Sequence, residues 1–330
     1  MAKNAGKTVT LNTIVKEAVN RNINLALISY GRDGEKVDAI TLQEKPRIYI
    51  PPHTIFVTAH NAYKKSDIQA DIIARTGIDS LMGEVNIYKS FTKGGYIELV
   101  GINSSSRVKK IKEMMPSNID LTLIDGALDR RSSAMPALTD AFIIATGAVV
   151  ANTEDLVIKK TFHEIRRLSL SEVKDSTLRE KAEEFLAKNQ DGIVYKDGSS
   201  EALTSETSFG HIKELKNKDH ENIESLIING ALIDRFAEKI IYDLDLKGIN
   251  LIVRDGTRVF LNKRNLNLLE KSKIKLEVLN NINLLAVTVN PTSPYSPSLS
   301  SEKIINGLKT KLSEIPVYDI MSEKYKSIER

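Results

Sequence analysis

The chain has 330 residues, 41% hydrophobic and 27% charged, enough to bury a substantial core in one large or two smaller domains. It has no cysteine, which excludes disulfides, iron–sulfur clusters and thiol catalysis within the chain. Its net charge of +4 is spread along the sequence, without tryptophan and with few aromatics, unlike the concentrated basic surfaces that bind nucleic acid. No run approaches the roughly eighteen apolar residues of a membrane span, and the polar N-terminus lacks the apolar stretch of a signal peptide. The expectation is a cytoplasmic protein with neither nucleic-acid nor membrane partner.

The first ten residues carry the strongest signal. Lys3-Asn4-Ala5-Gly6-Lys7-Thr8-Val9-Thr10 reads as the second half of a Walker A phosphate-binding loop running into a helix. The first glycine of that pattern falls where Met1 stands, and the apolar strand that normally feeds such a loop is absent. Burying such a strand is worth of order 10 kcal/mol, so the expectation is a translation start upstream of Met1. Apolar residues Leu11, Ile14, Val15, Ala18 and Val19 predict a helix over 9–19. Residues 24–30 follow as a buried strand, ending in the charged turn Gly31-Arg32-Asp33-Gly34-Glu35.

Residues 43–100 read as a β-rich insertion. Strands are predicted at 47–50 and 54–58, a helix at 65–75, and a hairpin of 84–91 with 96–100 about the glycine turn 92–95. Beyond a helix at 107–115, residues 120–126 form a strand ending on Asp125, and 141–147 form another ending on Thr146-Gly147. A helix covers 154–168, and the more polar segment 171–220 reads as a lid or linker. Strands at 225–232, 249–254, 282–289 and 316–320 then alternate with helices at 234–244, 262–272 and 301–312. The fold class expected is α/β: a P-loop NTPase-like, mostly parallel sheet with helices on both faces. Its domain would comprise 1–42 and 101–330, with 43–100 inserted and the strand before the P-loop absent.

The chemistry follows from residue types. Amides around Gly6 can cradle phosphate at a helix N-terminus, Lys7 can reach the β- and γ-phosphates, and Thr8 can ligate magnesium. Asp125, at a strand end, either holds that magnesium as a Walker B carboxylate or caps the segment 128–131. Asp33, Glu35 and Asp38 either touch the metal and a water or form a charged surface loop. Asp129, Arg130 and Arg131 serve the phosphate or form a solvated turn. Asn290-Pro291-Thr292 occupies the place of a base-contacting loop. The histidines show no metal spacing, His211 and His220 included.

Six segments in order, around Gly6-Lys7-Thr8, Tyr30-Gly31-Arg32-Asp33, Lys45-Pro46-Arg47, Thr76-Gly77 with Met82-Gly83-Glu84-Val85, Asp125-Gly126-Ala127-Leu128-Asp129 and Val289-Asn290-Pro291, resemble the KamB family. This is the reactivase subunit of lysine 5,6-aminomutase. The resemblance implies a P-loop protein acting with a MutS-like ATPase, KamC, on an adenosylcobalamin- and pyridoxal-phosphate-dependent lysine 5,6-aminomutase. ATP would drive release of damaged cobalamin. The candidate ATP-binding residues are then Asn4, Gly6, Lys7, Thr8 and Val9, the Mg2+ ligands Thr8 and Asp125, and the catalytic candidates Asp125 and Asp33. The alternatives are an ATP-dependent ligase of the dethiobiotin synthetase type and a non-hydrolysing adaptor with a degenerate loop.

Overall fold

The computed structural model describes residues 4–30, 47–126, 136–205 and 208–322. It is α/β and divides into two compact units, unit 1 comprising Met1–Lys160 with Leu284–Arg330, and unit 2 comprising Thr161–Asn283. The first elements are α1 (Lys7–Asn20), β1 (Leu25–Tyr30), β2 (Ile48–Ile50), β3 (Ile55–Ala59), α2 (His60–Tyr63), β4 (Ala70–Ser80), β5 (Gly83–Ser90) and β6 (Gly95–Ile97). Then come α3 (Ser105–Glu113), β7 (Leu121–Gly126), β8 (Phe142–Gly147), α4 (Glu154–Leu168), α5 (Ser176–Ala187), β9 (Gly192–Tyr195), β10 (Ser200–Ala202) and α6 (Ser208–Leu215). The chain continues with β11 (Ile223–Ile228), β12 (Leu232–Ile233), α7 (Asp234–Tyr242), β13 (Asn250–Val253), β14 (Val259–Phe260), α8 (Lys263–Lys271), β15 (Lys275–Val278), β16 (Leu284–Asn290), α9 (Ser301–Lys309) and β17 (Val317–Asp319). Among the described residues, no helix is long and apolar enough to cross a membrane.

In unit 1 a sheet of order β4-β5-β3-β1-β7 is mixed: β1 runs parallel to β3 and β7, while β5 is antiparallel to β3 and β4. A second sheet, β17-β16-β8, is wholly parallel. Strand period assigns the faces of the first. Leu25, Leu27, Phe56, Tyr88, Leu121 and Leu123 pack with Leu11, Val15 and Ala18 of α1. The alternate residues Ala26, Ile28, Val57, Ile87 and Ile124 pack with Val108 and Ile111 of α3.

Helix α1 stops because Asn22 takes the left-handed conformation at φ +54° and Ile23 N closes onto Ala18 O at 2.9 Å, with Asn22 N on Val19 O at 3.0 Å. This paired closure satisfies the last carbonyls and turns the chain back. Asp120 then ties the two strand starts together: its Oδ2 accepts from Asn24 N at 2.9 Å, while its own N donates to Asn24 O at 3.0 Å. The register runs in step from Leu25↔Leu121 to Tyr30↔Gly126.

Several expectations for 43–100 are corrected. Strands β3, β5 and β4 extend the same sheet as β1 and β7, so this segment is part of the unit rather than an insertion packed on it. The helix predicted at 65–75 is instead the short α2 followed by β4. That strand is an edge strand whose register against β5 shifts between Ile72 and Ala74 and between Arg75 and Ile78, which breaks the alternation a strand shows in sequence. The hairpin of 84–91 with 96–100 does not form. β5 pairs with β4 and β3, while β6 pairs with β2, where buried Ile48 and Ile97 face each other and Tyr49 packs on Tyr96 with ring centroids 5.3 Å apart.

Unit 2 contains 171–220, expected as a lid or linker, which instead supplies Leu178, Phe185, Leu186, Ile193, Ile212 and Leu215 to its core. Its sheet, β10-β9-β11-β13-β15, is parallel from β11 to β15 and antiparallel at β9 and β10. One face buries Leu226, Ile228, Leu251 and Val253 against α6, α7 and α8, and the other buries Ile227 and Ile252 against α5. His211 of α6 is fastened inside: Nδ1 meets Asp191 Oδ2 at 3.0 Å and Nε2 meets Ser205 O at 2.5 Å. Both partners are acceptors, an arrangement that favours the protonated ring. The Asp191 hydrogen bond raises the His211 pKa against the opposing effect of burial.

A raised folded pKa gives stabilisation that is complete below the unfolded value, about 6.5, and is lost as pH rises through the folded value. Urea denaturation followed from about pH 5 to pH 9 is expected to show that alkaline loss, and His211→Gln is expected to lack it. Matching profiles in the two proteins would count against the ion pair.

Candidate functional site

The turn of residues 21–24 makes α1 antiparallel to β1. The 14-residue helix spans about 21 Å at 1.5 Å per residue, and the six-residue strand spans about 20 Å. The N-terminus of α1 therefore lies beside the carboxyl ends of β1 and, through their shared register, of β7. In open α/β sheets this edge is where ligands bind.

Four of the loop candidates meet there. Gly6 is the N-cap of α1 in the left-handed conformation, φ +91°, and no side chain caps the helix. Its position is tight: a Cβ would stand 2.6 Å from Ile320 Cδ1 and 3.2 Å from Asn290 Cβ. Lys7 and Thr8 form the first turn, and the Lys7 Nζ is withdrawn from solvent. No acidic residue occupies that turn, so the first-turn amides and the helix dipole offer a positive end to an anion. Asn4, also left-handed at φ +61°, is exposed, and its carbonyl accepts from Asn290 Nδ2 at 3.1 Å. Val9 contributes backbone, its carbonyl accepting from Thr13 Oγ1 at 2.9 Å.

Asp125 has the parity of Leu121 and Leu123, which pack in the α1 cluster, so its side chain lies on the α1 face. It is 7% exposed. Its register partner on β1 is Ser29, which shares that face and is 1% exposed. The Ser29 Oγ is buried without a hydrogen-bond partner among the described residues. Leaving a hydroxyl so costs about 1–3 kcal/mol.

The β16 end completes the loop's support. Thr10 Oγ1 lies 3.0 Å from Gly6 O and 2.9 Å from Thr288 Oγ1. Asn290 sits two residues further on the same face. Its Nδ2 donates to Asn4 O, while its Oδ1 accepts from Thr292 N at 3.0 Å and Thr292 Oγ1 at 2.7 Å. Expected as a base-contacting residue, Asn290 is instead the clamp that holds the 4–6 loop against β16. Thr146-Gly147 has an equally structural reason: at Gly147, φ +148°, a Cβ would stand 1.7 Å from Asn290 O, so only glycine permits that approach.

Asp33, Glu35, Asp38, Asp129, Arg130 and Arg131 lie outside the described residues. His211 and His220 bond to Asp191 and to Leu215 O respectively. Among the described residues, no three His, Asp or Glu side chains gather as a metal site. A magnesium ion bound with nucleotide asks for less, one or two carboxylates alongside phosphate and water. A concavity of about 600 Å³ lies elsewhere in unit 1, lined by Thr153, Glu154, Asp155, Ile158, Lys303 and Asn306. Glu154 is engaged there by Ser300 N at 3.1 Å.

Fold and site together define an α/β protein with an uncapped helix N-terminus and a buried aspartate converging at one sheet edge. Comparison with protein-family models, with curated proteins and with solved structures gives no match for the chain.

Ser29 had no motif signal in the sequence, and the structure gives Asn290 a structural part, bonding the 4–6 loop and Thr292. The local mark of Ser29 is that it interrupts the apolar run Leu25-Ala26-Leu27-Ile28 one step before the strand ends. Gly6→Ala is expected to lower stability by about 1–3 kcal/mol through its left-handed backbone and the Ile320 contact, read as the urea midpoint at fixed m-value. An unchanged midpoint would mean the loop is not held as described.

Proposed function

We propose that the chain binds ATP with magnesium at the carboxyl edge of unit 1 and serves as the nucleotide-binding subunit of an ATP-dependent reactivase for lysine 5,6-aminomutase. The observation that carries the binding half is convergence. The Gly6 loop, the open α1 N-terminus and buried Asp125 come to one edge and one face, although Gly6 and Asp125 stand far apart in sequence. The residues fit the groups they would hold. A left-handed Gly6 at the start of α1 leaves the first-turn backbone amides free of a side-chain cap among the described residues, where they could meet a phosphate. Lys7 would neutralise the β- and γ-phosphates, and Thr8 with Asp125 would hold magnesium directly or through water. The metal, when bound, supplies charge neutralisation for the triphosphate. The chain's own part is to orient it and to change shape with its occupancy.

The reactivase half rests on the ordered set of sequence segments that resemble the KamB family. In that role this subunit works with a MutS-like ATPase and couples ATP use to exchange of damaged cobalamin on the aminomutase.

The test is reactivation of aminomutase that has inactivated during turnover, given this protein, the MutS-like partner, ATP, Mg2+ and fresh adenosylcobalamin. Recovery should require both proteins. Lys7→Ala should weaken ATP binding roughly tenfold or more and abolish recovery, while Asp125→Asn should remove the Mg2+ dependence of binding and leave metal-free binding intact. Recovery that is indifferent to omission of this chain would sink the reactivase reading. Ligation products formed with ATP would favour a synthetase, and full recovery with Lys7→Ala would favour an adaptor.

A further inference from the structure

We infer that Ser29 is a positioning residue for a divalent cation, its hydroxyl holding a metal-bound water beside Asp125. The inference rests on the nucleotide reading above and adds a residue to that site.

Other buried hydroxyls of unit 1 are employed. Thr58 of β3 shares the face of Phe56, and its Oγ1 donates to Glu98 O at 3.2 Å and accepts from Val100 N at 3.2 Å. Thr10 and Thr288 bond to each other at 2.9 Å. Ser29 differs: it is 1% exposed, and its Oγ has no partner among the described residues. Alanine would fit the strand without leaving a buried hydroxyl unsatisfied, so the structure has a polar atom where packing alone asks for none.

The hydroxyl is placed where a hydrated cation would use it. Ser29 and Asp125 are register partners on parallel strands, which lie about 4.8 Å apart, and both project toward the end of the sheet under the α1 N-terminus. Magnesium keeps several of its waters when it binds with a phosphate and one or two carboxylates. A carboxylate and a neutral hydroxyl side by side could then each accept a hydrogen bond from a water of the hydrated cation. Asn12 of α1 adds a second buried oxygen without a partner among the described residues, its Oδ1, one helical turn after Thr8.

The test compares wild type with Ser29→Ala in three measurements: the thermal midpoint of the free protein, ADP and ATP binding in EDTA, and Mn2+ affinity with saturating nucleotide by electron paramagnetic resonance. Ser29→Ala should leave the midpoint equal or higher and metal-free nucleotide binding within about twofold, while weakening Mn2+ by about three- to tenfold, the worth of one hydrogen bond. A hydroxyl with a purely structural role would lower the midpoint and leave Mn2+ affinity alone, and that result overturns the inference. If Ser29→Ala fails to fold, Ser29→Cys keeps the volume with a weak hydrogen-bonding group and should show the same loss of Mn2+ affinity. Metal-dependent nucleotide binding that ignores both substitutions overturns the Ser29 role alone. A wild-type protein that binds nucleotide neither with nor without metal overturns this inference and the nucleotide reading together.

Discussion

Everything at the candidate site depends on how α1 ends. Asn22 in the left-handed conformation and the closure of Ile23 N onto Ala18 O reverse the chain within four residues. That reversal leaves no choice about which end of β1 the helix start lies beside. Asp120 then locks the starts of β1 and β7 through paired contacts with Asn24. Since side chains alternate along each strand, fixing the register at one end fixes the face of every residue to the other end. Asp125 reaches the α1 face because Leu121 and Leu123 do. A one-residue slip of β7 would send the carboxylate to the α3 side and bury Ile124 against α1.

This geometry explains why the placement of the 6–8 turn at a helix start and of Asp125 at a strand end was legible in sequence and much of the surrounding sheet was not. Gly6-Lys7-Thr8 at a helix start, and an aspartate ending an apolar strand, are local patterns whose meaning survives without knowledge of neighbours. The faces of 24–30 and 120–126 follow from period alone. The pairing of β6 with β2 has no local signature. Tyr49 and Tyr96 find each other across almost fifty residues, and the glycines between β5 and β6 imitate a hairpin turn. β4 misleads for a related reason. Its bulges shift Ile72, Ile73 and Ile78 out of alternation, and the resulting spacing imitates a helix face. Unit 2 shows the opposite case: polar composition over 171–220 suggests a linker, yet Leu178, Phe185 and Leu186 bury one face of its sheet. A few apolar residues at helical spacing outweigh a polar average.

Both units close much of their buried polarity within the protein. In unit 2 the buried His211 is closed on both sides by acceptors, and Arg254 donates to Leu186 O and to Asn229 Oδ1 at 3.0 Å. These groups knit a strand end to a helix end and are used up in doing so, as buried polar networks must be if they are to stabilise. Unit 1 spends Asn290 the same way: its amide is divided between the 4–6 loop and Thr292, which makes it a brace. Satisfied polarity of this kind reads as architecture wherever it lies, even at the carboxyl edge where ligands bind.

That distinction gives Ser29 its weight. A residue at a ligand-binding edge can be there for the fold or for the ligand, and proximity does not separate the two. Hydrogen-bond accounting does. Asn290, Thr10 and Thr58 have partners within the protein, so the fold alone accounts for their polarity. Ser29 has none among the described residues, while its backbone neighbours Ile28 and Tyr30 pack without strain of composition into the opposite face. An unsatisfied hydroxyl lowers the stability of the free protein. On the reading proposed above, a hydrated cation beside Asp125 at the sheet edge would satisfy it. On that reading the free protein is less stable than its packing would permit, and cation binding would recover the difference.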